Sequence, residues 1–188
     1  MPDVLPYIDA AWIAVLVVWA AAAIRTKRTA QVQTSASLLV HMTALVFAFV
    51  LFKPWFAVGP LAWRFVPPSA AVSYTGLALT IAGAALAIWA RVTLGRNWSG
   101  MVTIKEDHQI IRTGPYAAVR HPIYSGFLLA MFGTALAIGQ VRCLVALAIA
   151  FLAWWFKSRI EEKFMEQQFG DQYVAYKQRV KAFIPFVL

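Results

Sequence analysis

A run of twenty residues without a single charge, Ala71–Ala90, constrains this chain more than any other feature. Crossing the hydrocarbon of a bilayer takes about 20 helical residues. Other segments are of the same kind. Ile8–Ile24 is apolar except for Asp9, and Ser35–Phe52 is apolar with His41 near one end. Pro122–Trp155 is broken only by Gly139-Gln140 and Arg142. Its thirty-four residues are too many for one span, so the interruption predicts a tight hairpin between Pro122–Ile138 and Val141–Phe156. The expected fold is all-α: a polytopic membrane domain over residues 1–188 with about five spans, at 8–24, 35–52, 71–90, 122–138 and 141–156. Composition agrees, with 61% hydrophobic and 13% charged residues, against about 45–50% apolar and 25% charged in an ordinary soluble domain.

The cations fall unevenly between the two sides. With five spans, fourteen Lys and Arg residues lie on one side, and Lys53, Arg64 and Arg142 on the other. Basic residues favour cytoplasmic loops, which predicts the N-terminus outside and the C-terminus in the cytoplasm. The small, alanine-rich chain suggests a bacterial inner membrane. No Lys or Arg precedes Arg25, so the first apolar segment reads as a retained span rather than a cleaved signal. The net charge of +9 sits beside apolar runs, which points to membrane lipids as partners and away from nucleic acid. One cysteine, Cys143, excludes a disulfide framework within the chain and a multi-thiolate metal site; no metal is expected.

Much of the apolar sequence reads as packing. Gly76, Thr80 and Ala84 share a face of the third span, and Ser125, Leu129, Gly133 and Ala137 a face of the fourth. Small residues at that spacing let helices approach closely in lipid. Trp12, Trp19, Trp55, Trp63, Trp89, Trp154 and Trp155 mostly lie near span ends, where the membrane interface favours them. His41 has no evident partner in sequence and reads as a buried or interfacial side chain.

The polar residues gather in two segments on the basic side, 91–121 and 157–188. The first closes with Gly114-Pro115-Tyr116 and then Arg120-His121-Pro122-Ile123-Tyr124-Ser125-Gly126. Pro122 suits the first position of a helix and disfavours the helical region for His121, so the fourth span should start at Pro122 with His121 as N-cap. The free N–H groups of that helix start, with Arg120 and His121 beside them, make an anion site suited to a carboxylate. The plain alternative is an ordinary start signal with a snorkelling arginine. The second segment carries Glu161-Glu162, then Phe169-Gly170-Asp171, where Gly170 suits the end of one helix and Asp171 the cap of the next. Met165, Phe169, Tyr173, Tyr176 and Val180 recur at helical steps and predict an amphipathic surface helix. Glu161 and Glu162 either pair locally with Arg159 and Lys163 or face a cationic ligand such as a sulfonium.

In this order, Arg120-His121-Pro122-Ile123-Tyr124-Ser125-Gly126, Glu161-Glu162, Phe169-Gly170-x-x-Tyr173-x-x-Tyr176 and Ile184-Pro185 resemble the isoprenylcysteine carboxyl methyltransferase family, itself related to the phospholipid N-methyltransferases. Leu94-Gly95-Arg96-Asn97-Trp98-Ser99 resembles the segment before that core. The resemblance covers roughly Leu94 to Pro185; a shorter acidic run before Phe169 and a small overall size depart from the eukaryotic enzymes. It implies S-adenosylmethionine as cofactor, held between the two polar segments above a lipid-accessible cavity. Gly114, Tyr116, Arg120, His121 and Tyr124 would line its site, with Glu161 and then Glu162 at its charged methionine end. Arg120, His121 and Glu161 would be the catalytic set, and Trp98 and Arg159 would lie towards a lipidic or prenylated amphipathic acceptor. A carboxylate acceptor is already ionised near neutral pH and needs alignment and an orienting arginine. An amine needs a base, Glu161 or His121. The rival readings are phospholipid N-methylation, an NADPH-dependent membrane reductase, and a non-catalytic assembly protein.

Overall fold

The structure is a computed structural model describing residues 2–23, 29–32, 35–95, 103–105 and 110–187. Its helices are α1 (Leu5–Ala23), α2 (Ser35–Val50), α3 (Ala70–Leu94), α4 (Pro122–Ile138), α5 (Val141–Phe169) and α6 (Asp171–Arg179). The helical architecture holds, with one addition. Thr29–Val32 (β1) and Thr103–Lys105 (β2) form a short antiparallel ribbon, Thr29 opposite Lys105 and Val32 opposite Thr103. Both pieces are rich in β-branched residues, which suit extended backbone. Pairing satisfies backbone groups that lie beyond the helix ends.

Helix boundaries follow local chemistry. Ser69 caps α3 by accepting the Val72 N–H at 3.2 Å. α4 starts at Pro122, with His121 outside the helical region at φ −121°, ψ 56°. Gly139, at φ 75°, turns the chain between α4 and α5 in a left-handed conformation that glycine adopts without strain. α5 does not pause at Phe156. It runs on through Glu161-Glu162 to Phe169, because residues 157–168 contain no Gly or Pro and are mostly strong helix formers. α1, α3 and α5 contain windows long and apolar enough to cross a membrane; α4 and Leu39–Val50 of α2 are shorter apolar helices.

The tightest contact is between α3 and α4. A Cβ added at Gly126 would stand 2.6 Å from the Ala87 backbone nitrogen, and one at Gly76 2.7 Å from that of Ala137. Gly83 and Gly133 face Ala130 and Thr80 in the same way. The contact therefore uses the expected Gly76, Thr80, Gly133 and Ala137, but Gly126 and Ala130 replace Ser125 and Leu129. Ser125 instead donates to the Phe183 carbonyl at 2.6 Å. Polar groups reinforce the joint: Trp12 Nε1 donates to Thr134 Oγ1 at 3.1 Å, and Thr134 Oγ1 is 3.3 Å from Thr80 Oγ1.

Two buried arginines tie neighbouring helix ends together. Arg91 Nη2 donates to the Ala22 carbonyl at the end of α1, and Arg142 Nη1 to Leu51 and Lys53 just past α2, at 2.9, 2.7 and 3.0 Å. Last-turn carbonyls have no intrahelical partner, and these guanidinium groups supply one. Trp55, Trp63 and Trp89 are exposed at helix ends as expected. Trp154 is buried and Trp12 partly so. Both belong to a run of stacked rings, Trp12–Phe127–Trp154–Tyr124–His121, with neighbouring centroids 5.5–6.1 Å apart. The stack leads from the bundle interior to the first residues of α4.

Candidate active site

The start of α4 meets the charged end of α5 and the chain after α6. Arg120 N–H donates to the Lys181 carbonyl at 2.8 Å, and His121 N–H to Ala182 at 2.9 Å. Tyr176 O–H reaches back to the Tyr116 carbonyl at 2.6 Å, and Arg112 Nη2 to Gln172 at 3.0 Å. The two polar segments are thus one structure, as the sequence predicts.

At their junction lie the two glutamates. Glu162 is nearly inaccessible, its side chain 3% exposed. Its Oε1 accepts from Arg120 Nε at 2.9 Å and Nη2 at 2.7 Å, and lies 3.2 Å from His121 Nε2. Its Oε2 is 3.1 Å from Lys177 Nζ. The anion site expected beside Arg120 and His121 therefore exists, and a carboxylate of the chain itself occupies it. Burial would raise the Glu162 carboxyl, but hydrogen bonds from His121 and Arg120 outweigh it and hold the group at about 2. Arg120 Nη1 also donates to the carbonyls of Lys177 and Val180, locking the end of α6 to α4.

Glu161 turns the other way and keeps 22% of its side chain exposed. It accepts the Tyr124 O–H at 2.7 Å, faces His121 Nδ1 at 3.5 Å and lies 3.8 Å from Lys157 Nζ. Burial opposes its ionisation, and His121, Lys157 and Tyr124 together keep the carboxyl below its ordinary value. Burial likewise works against a charged His121, yet the two glutamates raise it above 6.5. Lys157 Nζ also lies 5.7 Å from the Tyr124 ring centre. His41 of α2 finds a partner here, bonding the Ala153 backbone near Lys157 and Glu161.

The expected site residues separate accordingly. Arg120, His121, Tyr124, Glu161 and Glu162 form one network. Tyr116 and Gly114 sit in the short 3₁₀ turn before it; Tyr116 packs against Ala90 and Ile123, and Gly114 lies against Thr93 and Trp89. Arg159 is exposed and stacks on Trp155 at 4.5 Å. It stands two residues from Glu161, about 200° around the helix at 3.6 residues per turn, and the structure does not bring it to the Glu161 side. Trp98 lies outside the described residues. Local pairing of the glutamates with Arg159 and Lys163 does not form. Lys157 and Lys177 were not singled out by sequence, because their partners are carboxylates whose own orientation depends on α4 and α6.

The donor set fits a small cationic ligand. Glu161 keeps a partly exposed carboxylate, and a carboxylate attracts a cation; the Tyr124 ring is stacked between His121 and Trp154 and contributes its hydroxyl, which orients Glu161. Glu162 already faces three cations of the chain, Arg120, His121 and Lys177, although its buried Oε2 accepts no hydrogen bond among the described residues.

Known proteins resemble this chain over much of its length. Residues 72–172 match the family model described as phospholipid methyltransferase. Protein-S-isoprenylcysteine O-methyltransferase B of Arabidopsis thaliana is 39% identical over 62% of this chain and 60% of its own length. A probable protein-S-isoprenylcysteine O-methyltransferase of Oryza sativa subsp. japonica is 33% identical over 81% of this chain and 74% of its own. A solved structure of the eukaryotic intramembrane Ras methyltransferase, an isoprenylcysteine carboxyl methyltransferase, superposes with a TM-score of 0.56 at 30% identity, covering 83% of this chain and 55% of that one. The chain thus spans little more than half of some relatives it matches. The apolar helices and this likeness make it an integral membrane protein, and the chain belongs to the isoprenylcysteine carboxyl methyltransferase family.

Proposed function

We propose that this chain is an S-adenosylmethionine-dependent membrane methyltransferase that esterifies a carboxylate on a lipidic or prenylated acceptor. The observation carrying this reading is the joined network of Arg120, His121, Tyr124, Glu161 and Glu162 at the end of an apolar bundle. When bound, S-adenosylmethionine supplies an electrophilic methyl group. Glu161, oriented by the Tyr124 hydroxyl, would hold the cationic end of that molecule, with Gly114 and Tyr116 on the adjoining turn. His121 and Arg120 fix the backs of the two glutamates, so both carboxylates are preorganised before ligand arrives. The acceptor's tail would lie among the apolar helices while its head reaches the polar end. Its carboxylate needs no base at neutral pH, so the chain contributes orientation and exclusion of water. Lys157, rather than Arg159, is the cation on the Glu161 side of α5 and takes the orienting role.

Five spans with the basic ends in the cytoplasm complete the proposal, which puts the network at the inner leaflet. The test is incubation of detergent-solubilised protein with methyl-labelled S-adenosylmethionine and a farnesylated cysteine analogue. Label released as methanol by mild base identifies a carboxyl ester. Base-stable label in a phospholipid extract supports N-methylation instead. Label in neither overturns the enzymatic reading. Glu161→Gln should abolish cofactor binding by calorimetry, and unchanged affinity removes that residue from the site.

A further inference from the structure

On the face of α5 away from Glu161 there is a second concavity. A cavity of about 260 Å³ opens between α5, the end of α6 and the last residues, lined by Arg120, Trp155, Arg159, Glu162, Lys177 and Lys181 among others. Four cations there meet one carboxylate. Arg120 and Lys177 are committed to Glu162. Arg159 and Lys181 form no ion pair among the described residues, and the Arg159 guanidinium lies over the Trp155 ring, 4.5 Å from its centre. The cavity therefore carries an uncompensated positive charge on a preformed wall, which suits a phosphate.

What surrounds it identifies the source of that phosphate. Leu152 and Phe156, two turns and one turn before Arg159 on the same stripe of α5, are 51% and 64% exposed. Beyond the cavity, Phe186 and Val187 expose 96% and 72% of their surface. A basic hollow between two outward apolar patches, with a tryptophan at its rim, matches the boundary between acyl chains and headgroups. We propose that this cavity binds the phosphate of an anionic phospholipid, with the acyl chains lying along Leu152 and Phe156. The occupant braces the residue 181–187 segment. The Lys181 and Ala182 carbonyls of that segment hold the Arg120 and His121 backbone, so an occupied cavity supports the network behind Glu162. The cavity shares Arg120 and Glu162 with that network, but its anion would be held by Arg159 and Lys181, and its binding is tested without methyl transfer.

Native mass spectrometry of the detergent-solubilised chain, titrated with phosphatidylglycerol or phosphatidylcholine, tests the assignment. Phosphatidylglycerol should bind at least about tenfold more tightly. Arg159→Gln with Lys181→Gln should weaken it by about thirty-fold, at about 1 kcal/mol per basic residue near a lipid surface. Arg159→Lys with Lys181→Arg should retain binding. A control pair outside the cavity, Lys163→Gln with Arg179→Gln, removes the same charge and should change affinity less than about threefold. Equal binding of both lipids overturns the proposal, as does an equal loss in the control pair. Inorganic phosphate that binds as tightly as the lipid would overturn the lipid assignment.

Discussion

Glu162 and Glu161 are neighbours in sequence with different environments. Glu162 is enclosed by Arg120, His121 and Lys177, whereas Glu161 meets Tyr124, His121 and Lys157 and keeps an open side. Breaking a buried pair leaves the remaining charge uncompensated, at a cost of about 3–5 kcal/mol. Glu162→Gln should therefore lower unfolding stability in detergent by about that amount, and a change under about 1 kcal/mol, the range of exposed pairs, would show that the pair is not buried. The same network sets the pH response. Folding depresses the Glu162 carboxyl from 4.5 to about 2, so its stabilisation is complete above 4.5 and is lost as pH falls towards 2. Folding raises His121 above 6.5, so its stabilisation is complete below 6.5 and is lost as pH climbs through the raised value. Thermal unfolding across pH should thus show a plateau between about 4.5 and 6.5. His121→Gln should flatten the alkaline fall while leaving part of the acid one. Sequence identified both glutamates and the Arg-His pair, since residue type and order carry that information. It left open which carboxylate is occupied, because that follows from side-chain direction on a helix whose neighbours are distant in sequence.

The joint between α3 and α4 is made by absence of side chains. Gly126 and Gly76 admit backbone where any Cβ would collide, so Gly126→Ala should cost about 1–3 kcal/mol, the range for overfilled packing. Ser125→Ala is the comparison: it leaves the helix joint intact and removes the hydroxyl's bonds to the Phe183 and His121 carbonyls. If both variants unfold alike by circular dichroism in detergent, close approach is not what holds α3 to α4. Arg142 acts between elements in a different way, and Arg142→Met should detach the carbonyls following α2 and destabilise the hairpin end by about 1.5–3 kcal/mol for each charged hydrogen bond lost. Helix starts and stops were legible wherever one residue decides them, as at Pro122, Gly139 and Gly170. The face of α4 was less so. Gly126 and Ser125 are both small, and a helix pattern alone does not say which of them meets α3 and which meets the segment after α6.

For the molecule as a whole, charge distribution predicts orientation. With Cys143, which is buried, replaced by alanine, a cysteine placed at Lys163 should react with an impermeant maleimide only after the membrane is opened. One at Trp55 should react in intact cells. The reverse pattern would invert the molecule. Sequence supplied the apolar helices and the meeting of the two polar segments, and it read the last apolar segment to Phe156, whereas helix α5 runs on to Phe169. That continuity has a mechanical meaning. Residues 141–156 account for about 24 Å of helix, and Glu161 stands roughly 7–8 Å farther along the same rigid rod, at 1.5 Å per residue. If 141–156 is the span, as proposed, the acidic pair is carried at a fixed height above the acyl layer, like a mark on a gauge rod. A thicker bilayer lowers the glutamates towards the hydrocarbon and a thinner one lifts them clear, so methyl transfer in vesicles should pass through an optimum as acyl-chain length is varied. A rate indifferent to chain length would mean that the rod bends or tilts to compensate.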